Sequence, residues 1–430
     1  MLELVPIDDP AHMVRDLVRN ELDLKAVLAT YREERGFPPY HPTMMTALLL
    51  YSYTQGIYSS RRMARACQQR VDFMAVTAMQ KPDFRTISDF RKRHLMALGG
   101  LFQQVLRLCA RAGLVKLGHV ALDGTKVAAN ASKHKAMSYD RMKKTEKELA
   151  ATVAEWFAKA EAEDDAEDRE HGSDKSGDEM PDWVRDKQKR LEKIRTAKAE
   201  LEAEAKRQLE AEAEMRTKRK DDDEPPPRQP PRGGKKRAKK NGEPHDKAQL
   251  NFTDADSRIM KGPTGYVQGY NCQAAVDSTA QVIVAHSVGN AQNDSPQLIP
   301  MVAQIRARLG RRPAELSADA GYLSEPNLVA LARRRVNGYI ATGRIAHDKS
   351  NKRRRKVLGP RTLAMRTKLD RGGHRSRYRL RKYTVEPVFG QIKEDRGFRR
   401  FLLRGLRKVP HEWALLCTAH NLLKLARRAA

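Results

Sequence analysis

Three acidic residues stand out by where they sit. Asp123 ends the short apolar run of "HVALDGTKVAAN" (119–130) and is followed by Gly124-Thr125-Lys126. Asp319 ends a similar run in "ELSADAGYL", where Ala320-Gly321 lets the chain turn away closely. Glu386 lies in "KYTVEPVFGQIKEDRGF", and Pro387 after it fits the first turn of a helix, which predicts Glu386 at a helix start. Carboxylates at strand ends and on a nearby helix can converge on two Mg²⁺ ions about 4 Å apart, one ion activating an attacking oxygen and the other stabilising a leaving one. Mg²⁺ takes hard oxygen ligands, usually one or two carboxylates per ion. Carboxylates held so close repel each other unless a cation joins them. Taken singly, each acid has an ordinary reading: Asp123 and Asp319 suit turns, and Glu386 suits the dipole of a helix N-terminus. Asp277 falls in a hairpin turn, Asp294 reads as helping to start a helix at Ser295, and Glu394 and Asp395 occupy another part of the helix surface. Lys393 follows Glu386 by two turns and shares its face, placed to hold a DNA phosphate.

Composition bounds what such a site serves. The chain has 430 residues, enough for two or three domains, and 40% of them are hydrophobic. Its formal net charge of +29 suits a polyanionic partner, because Lys and Arg gain by displacing counterions from phosphates. Between Arg344 and Lys408, 23 Lys or Arg stand against 5 Asp or Glu, so one region carries most of the surplus. A membrane surface is the competing reading, yet no apolar run approaches the ~20 residues of a spanning helix. "MLELVPIDDP" lacks the basic start and apolar stretch of a signal peptide. Cys67, Cys109, Cys272 and Cys417 form no CxxC pair, which argues against a zinc ribbon or a disulfide framework and fits a reduced cytoplasm. No HxH or HExxH arrangement occurs, so zinc hydrolase chemistry is disfavoured, and His119 and His420 read as packing residues.

The elements that must position the acids follow from patterning. Residues 1–114 read as a helical domain suited to DNA binding, with a dimerisation or packing module as the alternative. "HPTMMTALLLYSYTQG" stops at Gly56, "SSRRMARACQQ" has a serine cap, and "TISDFRKRHLMALGGLFQQVLRLCARAG" runs from a Thr86/Asp89 capping box to Gly113. Strands and helices then alternate over 115–135 and 249–430: a strand at 117–130, two strands joined near Asp277-Ser278-Thr279, a helix from Ser295, a strand before Asp319, another at "NGYIATG", and helices near the end. This order predicts an α/β domain. Residues 136–248 interrupt it. Their Ala, Glu and Lys content predicts long solvated helices over 138–218, as in a helical hairpin, and "DDDEPPPRQPPRGGKKRAKK" predicts disorder over 219–248. The "KKRAKK" cluster suits nucleic acid or a solvated tail equally.

"LDGTK", "SADAGY" and "VEPVFGQIKEDRGFRRFLLRG" followed by "HNLLKL" resemble a DDE transposase of bacterial insertion sequences, and "GIYSSRRMARACQQRVDFMAV" with "KPDFRTISDFRKRH" is similar to the helical N-terminal domain of those enzymes. The resemblance implies a ribonuclease-H-like mixed sheet with flanking helices, with Asp123 on the first strand, Asp319 after the fourth and Glu386 on a later helix as catalytic, metal-holding acids. It implies Mg²⁺ or Mn²⁺ as cofactor, two ions in all. Its signature around the glutamate is Y-x2-R-x3-E-x6-K. Glu386 and Lys393 match the second half, whereas Lys382 stands where Arg is usual and Arg379 where Tyr is usual, with Tyr378 one step away. Lys393, Lys382, Arg379, Arg396 and Arg404 are the expected DNA-binding residues. Partners implied are double-stranded DNA, as terminal inverted repeats and target, and further copies of the chain in a dimer or larger assembly at the nucleoid. The alternatives are a catalytically silent or regulatory DNA-binding protein, and a related nuclease that does not join DNA.

Overall fold

The computed structural model of the chain describes residues 2–31, 40–171, 182–220, 239, 241–262, 265–343 and 358–429. The chain divides into two compact units, Met1–Asn130 with Met260–Ala430, and Ala131–Ile259.

In the first unit, helices α1 (Pro10–Asn20), α2 (Pro42–Thr54), α3 (Ser60–Gln69), α4 (Phe84–Arg93) and α5 (Leu95–Arg111) precede the sheet. The single helix expected from Thr86 to Gly113 is two, broken at His94, whose buried ring packs beside Tyr31 and Phe90. The cap of α4 is Asp83, not Thr86: its carboxylate accepts the Arg85 and Thr86 amides, satisfying donors that a first turn leaves open. Ser59 holds the cap position of α3 without a side-chain bond.

Strand β1 (His119–Ala128) is central. Val120, Ala121 and Leu122 are fully buried, as expected of a strand covered on both faces. It pairs antiparallel with β2 (Gly265–Asp277), which pairs antiparallel with β3 (Ile283–Gly289). Helix α6 (Leu298–Leu309) leads to β4 (Glu315–Ala318), parallel to β1. Helix α7 (Glu325–Arg333) leads to β5 (Asn337–Ile340), parallel to β4. The order β3-β2-β1-β4-β5 is a ribonuclease-H-like mixed sheet; a sixth strand, Arg258–Gly262, also pairs with β2. Helices α8 (Pro360–Gly372), α9 (Leu380–Gly390) and α10 (Val409–Ala429) complete the unit. Helix α10 packs on α2, α5 and β3, so the helices expected to stand as a separate N-terminal domain share one unit with the sheet. Among the described residues no helix is long and apolar enough to cross a membrane.

In the second unit, the helices Tyr139–His171 and Asp182–Lys220 pack through Met142, Leu149, Leu191, Ile194 and Leu201. Tyr139 bonds Glu202 while Glu146 bonds Arg195 and Lys198, so the two run antiparallel. Ala136–Ser138 pairs with Gln249–Asn251, which brings the segment's two ends together. The unit is therefore slightly longer than the expected 136–248. Of the stretch expected to be disordered, 221–238 and 240, with most of "KKRAKK", lie outside the described residues.

Candidate active site

The parallel pairing of β1 and β4 runs from His119/Glu315 to Leu122/Ala318. The next residues are Asp123 and Asp319. Asp319 follows the end of β4, whereas Asp123, expected at a strand end, lies inside β1, which runs on to Ala128 paired with β2 alone. Adjacent strands lie about 4.8 Å apart. Each acid uses one oxygen on its own backbone. Asp123 Oδ1 accepts from the Gly124 amide at 2.9 Å, and Asp319 Oδ1 caps the short turn Ala320–Tyr322 by accepting from the Gly321 amide at 2.9 Å.

Helix α9 brings Glu386 to the same place, by a route that differs from the expected one. Glu386 is not at a helix start. It lies inside α9, and Pro387 is an interior proline. Such a proline removes the bond to the carbonyl four residues back. That carbonyl, on Tyr383, instead accepts from Gln281 Nε2 at 2.9 Å, which makes the proline tolerable. The next turn, Gln391–Asp395, is a π-helix.

Arg381, absent from the sequence reading, joins the acids. Its Nη1 donates to Asp123 Oδ2 at 2.7 Å and its Nη2 to Glu386 Oε1 at 2.9 Å. The signal was present: Tyr378-x2-Arg381 is an intact Y-x2-R with four residues, not three, before Glu386. Burial pushes the Asp123 carboxyl up to about 6; Arg381 opposes that shift, and the charges of Asp319 and Glu386 add to it. Burial also raises Asp319, against the Gly321 amide and Arg381, with the Asp294 carboxylate adding to the rise.

Asp294 is a fourth carboxylate of the cluster. It holds the cap position of the turn that begins at Ser295, as expected, but through its backbone carbonyl, with the side chain turned to the cluster. Its Oδ1 accepts from Asn271 Nδ2 at 2.6 Å and Gln273 Nε2 at 2.9 Å, and lies 3.4 Å from Lys126 Nζ. Tyr322 in turn donates to Gln273 Oε1. A β-carbon on Gly124 would lie 2.5 Å from Gln273 Nε2 and 2.9 Å from Asp294 Oδ1, and one on Gly321 would lie 3.0 Å from Asp319 Oδ1. Glycine at these positions lets polar side chains close in around the acids. Asn271 and Gln273, two apart on β2, were the sequence signal for this network.

The expected DNA-binding residues are scattered. Lys382 and Arg379 are exposed on the segment that carries Arg381, and Arg404 is exposed with its Nε on the Asn130 carbonyl. Lys393 Nζ donates to the Lys126 carbonyl at 3.0 Å and is half-buried. Arg396 is half-buried. It folds back on the Gln391 carbonyl, its Nη2 lies 3.1 Å from His420 Nδ1, and burial lowers its pKa.

The acids are hard oxygen donors suited to Mg²⁺ or Mn²⁺, and a cation already bridges two of them, the Arg381 guanidinium. Around that guanidinium the carboxylates stand apart: among the described residues no three Asp, Glu, His or Cys side chains are disposed to hold one metal ion.

Comparison with known families finds two matches. Residues 1–93 match the transposase domain DUF772, and residues 236–422 match the transposase DDE domain. The second match contains Asp319 and Glu386, while Asp123 falls between the two. No curated protein and no solved structure gives a significant match.

Proposed function

We propose that this chain, which carries the two matched domains of a DDE transposase, cuts DNA at the ends of an insertion sequence and joins it to a target, with Asp123, Asp319 and Glu386 as the metal-holding acids. The observation that carries the reading is the convergence of the acids: Asp123 and Asp319 each follow the last residues paired between β1 and β4, Leu122 and Ala318, and Glu386 is tied to Asp123 through one guanidinium.

Divalent metal, when bound, supplies charge stabilisation to a phosphodiester undergoing displacement and makes its attacking oxygen more nucleophilic. The chain's own part is to hold the acids, exclude excess water and grip the DNA. Gly124 and Gly321 amides fix the Asp123 and Asp319 carboxylates, and Gln273 and Asn271 fix Asp294 beside them. Lys382, Arg379 and Arg404 take phosphates along an exposed basic surface, and Lys393 takes one beside the acids. Water is the nucleophile of the first displacement, which frees a 3′ hydroxyl; that hydroxyl is the nucleophile of the second, which joins the strands. Neither step needs a covalent protein–DNA bond. Two ends must be paired, so the working form on DNA is a dimer or larger.

The test uses duplex DNA carrying the element's terminal repeats, with and without Mg²⁺. Wild-type protein nicks and joins only with metal, and Asp123→Asn, Asp319→Asn and Glu386→Gln each lose both activities while still binding DNA. Undiminished cleavage by all three variants sinks the assignment. Metal-dependent nicking without joining identifies a nuclease, and salt-sensitive binding by wild type without any nicking identifies a regulatory protein.

A further inference from the structure

We propose that Arg381 is a built-in counter-ion that occupies the metal position in the resting protein, so that a divalent cation enters only when this side chain leaves. The proposal rests on the reading of Asp123, Asp319 and Glu386 as metal-holding acids.

The geometry is that of a wedge. The planar fork does not grip one carboxylate with both nitrogens. It gives Nη1 to Asp123 and Nη2 to Glu386, at 2.7 and 2.9 Å, and so keeps the two acids apart by its own width. The Arg381 and Asp123 side chains are only 16% and 15% exposed, so solvent screens this contact weakly; Glu386, at 44%, forms the outer edge. Mg²⁺ needs carboxylate oxygens at about 2.0–2.1 Å from one centre. The oxygens that would supply it are instead spread over two nitrogens. A dication and a guanidinium also repel each other across a poorly screened gap of a few ångström. The two cations therefore exclude one another.

A second observation says that the pose is reversible. The Arg381 Nε is buried and unpartnered, a loss that an anchored structural arginine normally avoids. Among the described residues, the hydrogen bonds of this side chain go to the two carboxylates. Once a metal takes their oxygens, the guanidinium loses both hydrogen bonds, and the exposed segment that carries it, with Lys382 and Arg379 beside it, gives it a route to solvent. Asp123 and Asp319, each held by a backbone amide, stay in place. The consequence is a site that stays metal-poor until the arginine is drawn off, which limits nicking of DNA that is not correctly engaged.

The test is direct titration of Mn²⁺ into DNA-free protein, read by the electron paramagnetic resonance of free Mn²⁺, for wild type, Arg381→Gln, Arg381→Lys and Asp123→Asn. A wedge in place nine-tenths of the time weakens apparent affinity about ten-fold. Arg381→Gln is therefore expected to bind Mn²⁺ about ten-fold tighter than wild type, Arg381→Lys to fall between, and Asp123→Asn to lose the site. The metal-free melting temperature of Arg381→Gln should fall, and saturating Mn²⁺ should restore it. If Arg381→Gln does not fold, the Lys variant carries the comparison. Unchanged or weaker Mn²⁺ binding by both Arg381 variants, with binding lost in Asp123→Asn, overturns the wedge and leaves the metal-holding acids standing. Mn²⁺ binding that is indifferent to Asp123→Asn removes that reading, and the wedge with it.

Discussion

Two regions of this protein each contain an acid placed against basic partners, and they behave oppositely. In the helical hairpin of residues 131–259, Glu146 faces Lys198 Nζ at 2.9 Å and Arg195 Nε at 3.3 Å, and the Lys198 hydrogen bond leads in holding its carboxyl below the usual range. At the sheet end, Asp123 faces Arg381 at 2.7 Å, yet its carboxyl is pushed up to about 6. A closer partner coincides with a higher pKa because burial and the charges of Asp319 and Glu386 outweigh one guanidinium. Negative charge is settled in the hairpin, whereas at the sheet end Arg381 offsets only part of it, the balance that the proposed metal-holding role requires.

The largest effect that bears on this contrast is on activity. Asp319→Asn removes one excess charge without changing shape, and the loss of several kcal/mol of charge stabilisation predicts a fall in Mg²⁺-dependent cleavage on the order of 10³-fold. Its circular dichroism should match wild type, and its metal-free melting at pH 7 should not fall, because burial already disfavours the ionised Asp319 carboxyl. A cleavage rate within about ten-fold of wild type would place the chemistry elsewhere.

Next comes the pH dependence of metal-free stability. Asp123 titrates near 3.8 when unfolded and about 6 in the fold, so the folded state holds the proton more tightly. The destabilisation from ionising it is absent below pH 4, grows between 4 and 6, and is complete above 6. Urea unfolding without divalent ions should therefore show Asp123→Asn gaining on wild type between pH 4 and pH 7, by up to about 3 kcal/mol. A gap that does not vary with pH contradicts the assignment of excess charge.

A third measurement separates burial from crowding by charge. His286 on β3 is half-buried edge-on against Phe102, ring centroids 4.4 Å apart, and desolvation lowers its pKa to about 3, with Arg308 adding to the shift. For a depressed histidine the unfolded chain binds the proton first. Stability present above the ordinary value of 6.5 is lost as pH falls toward 3, about 2 kcal/mol of it by pH 5. His286→Gln should lose correspondingly less between pH 6.5 and 5 in the same unfolding experiment.

These contrasts also mark what the sequence could convey. Asp123 and Asp319 were legible because an acid closing a buried apolar run is a local pattern, although only Asp319 follows a strand end and β1 continues past Asp123 to Ala128. The spacing to Asp319 left room for β2, β3 and α6 once the insertion was removed. Glu386 was legible as a residue but not in its setting, since an interior Pro387 depends on Gln281, over a hundred residues away. Asp294 was legible as a helix starter but not as a member of the cluster, because its side-chain partners, Asn271 and Gln273, come from β2. Arg381 was hidden by a one-residue change in spacing, and the contacts of Arg396 with the Gln391 carbonyl and His420 were not legible because His420 lies on α10. Local rules found the strands; the contacts that set the charge balance are long-range.

The smallest effect is the sharpest control. Glu146→Gln removes the hairpin's acid and leaves Lys198 and Arg195 without it. A depressed carboxyl stabilises above its unfolded pKa, and the contribution is lost as pH falls through the folded one. Because Arg195 is largely exposed and the pair is screened by water and salt, its contribution should not exceed about 0.5 kcal/mol. It should shrink further in 1 M NaCl, whereas the poorly solvated Arg381–Asp123 contact should change little. A Glu146→Gln loss as large as the pH-dependent effect at Asp123 would mean that partner distance, not burial and like charge, governs both regions, and the contrast drawn between them would fail.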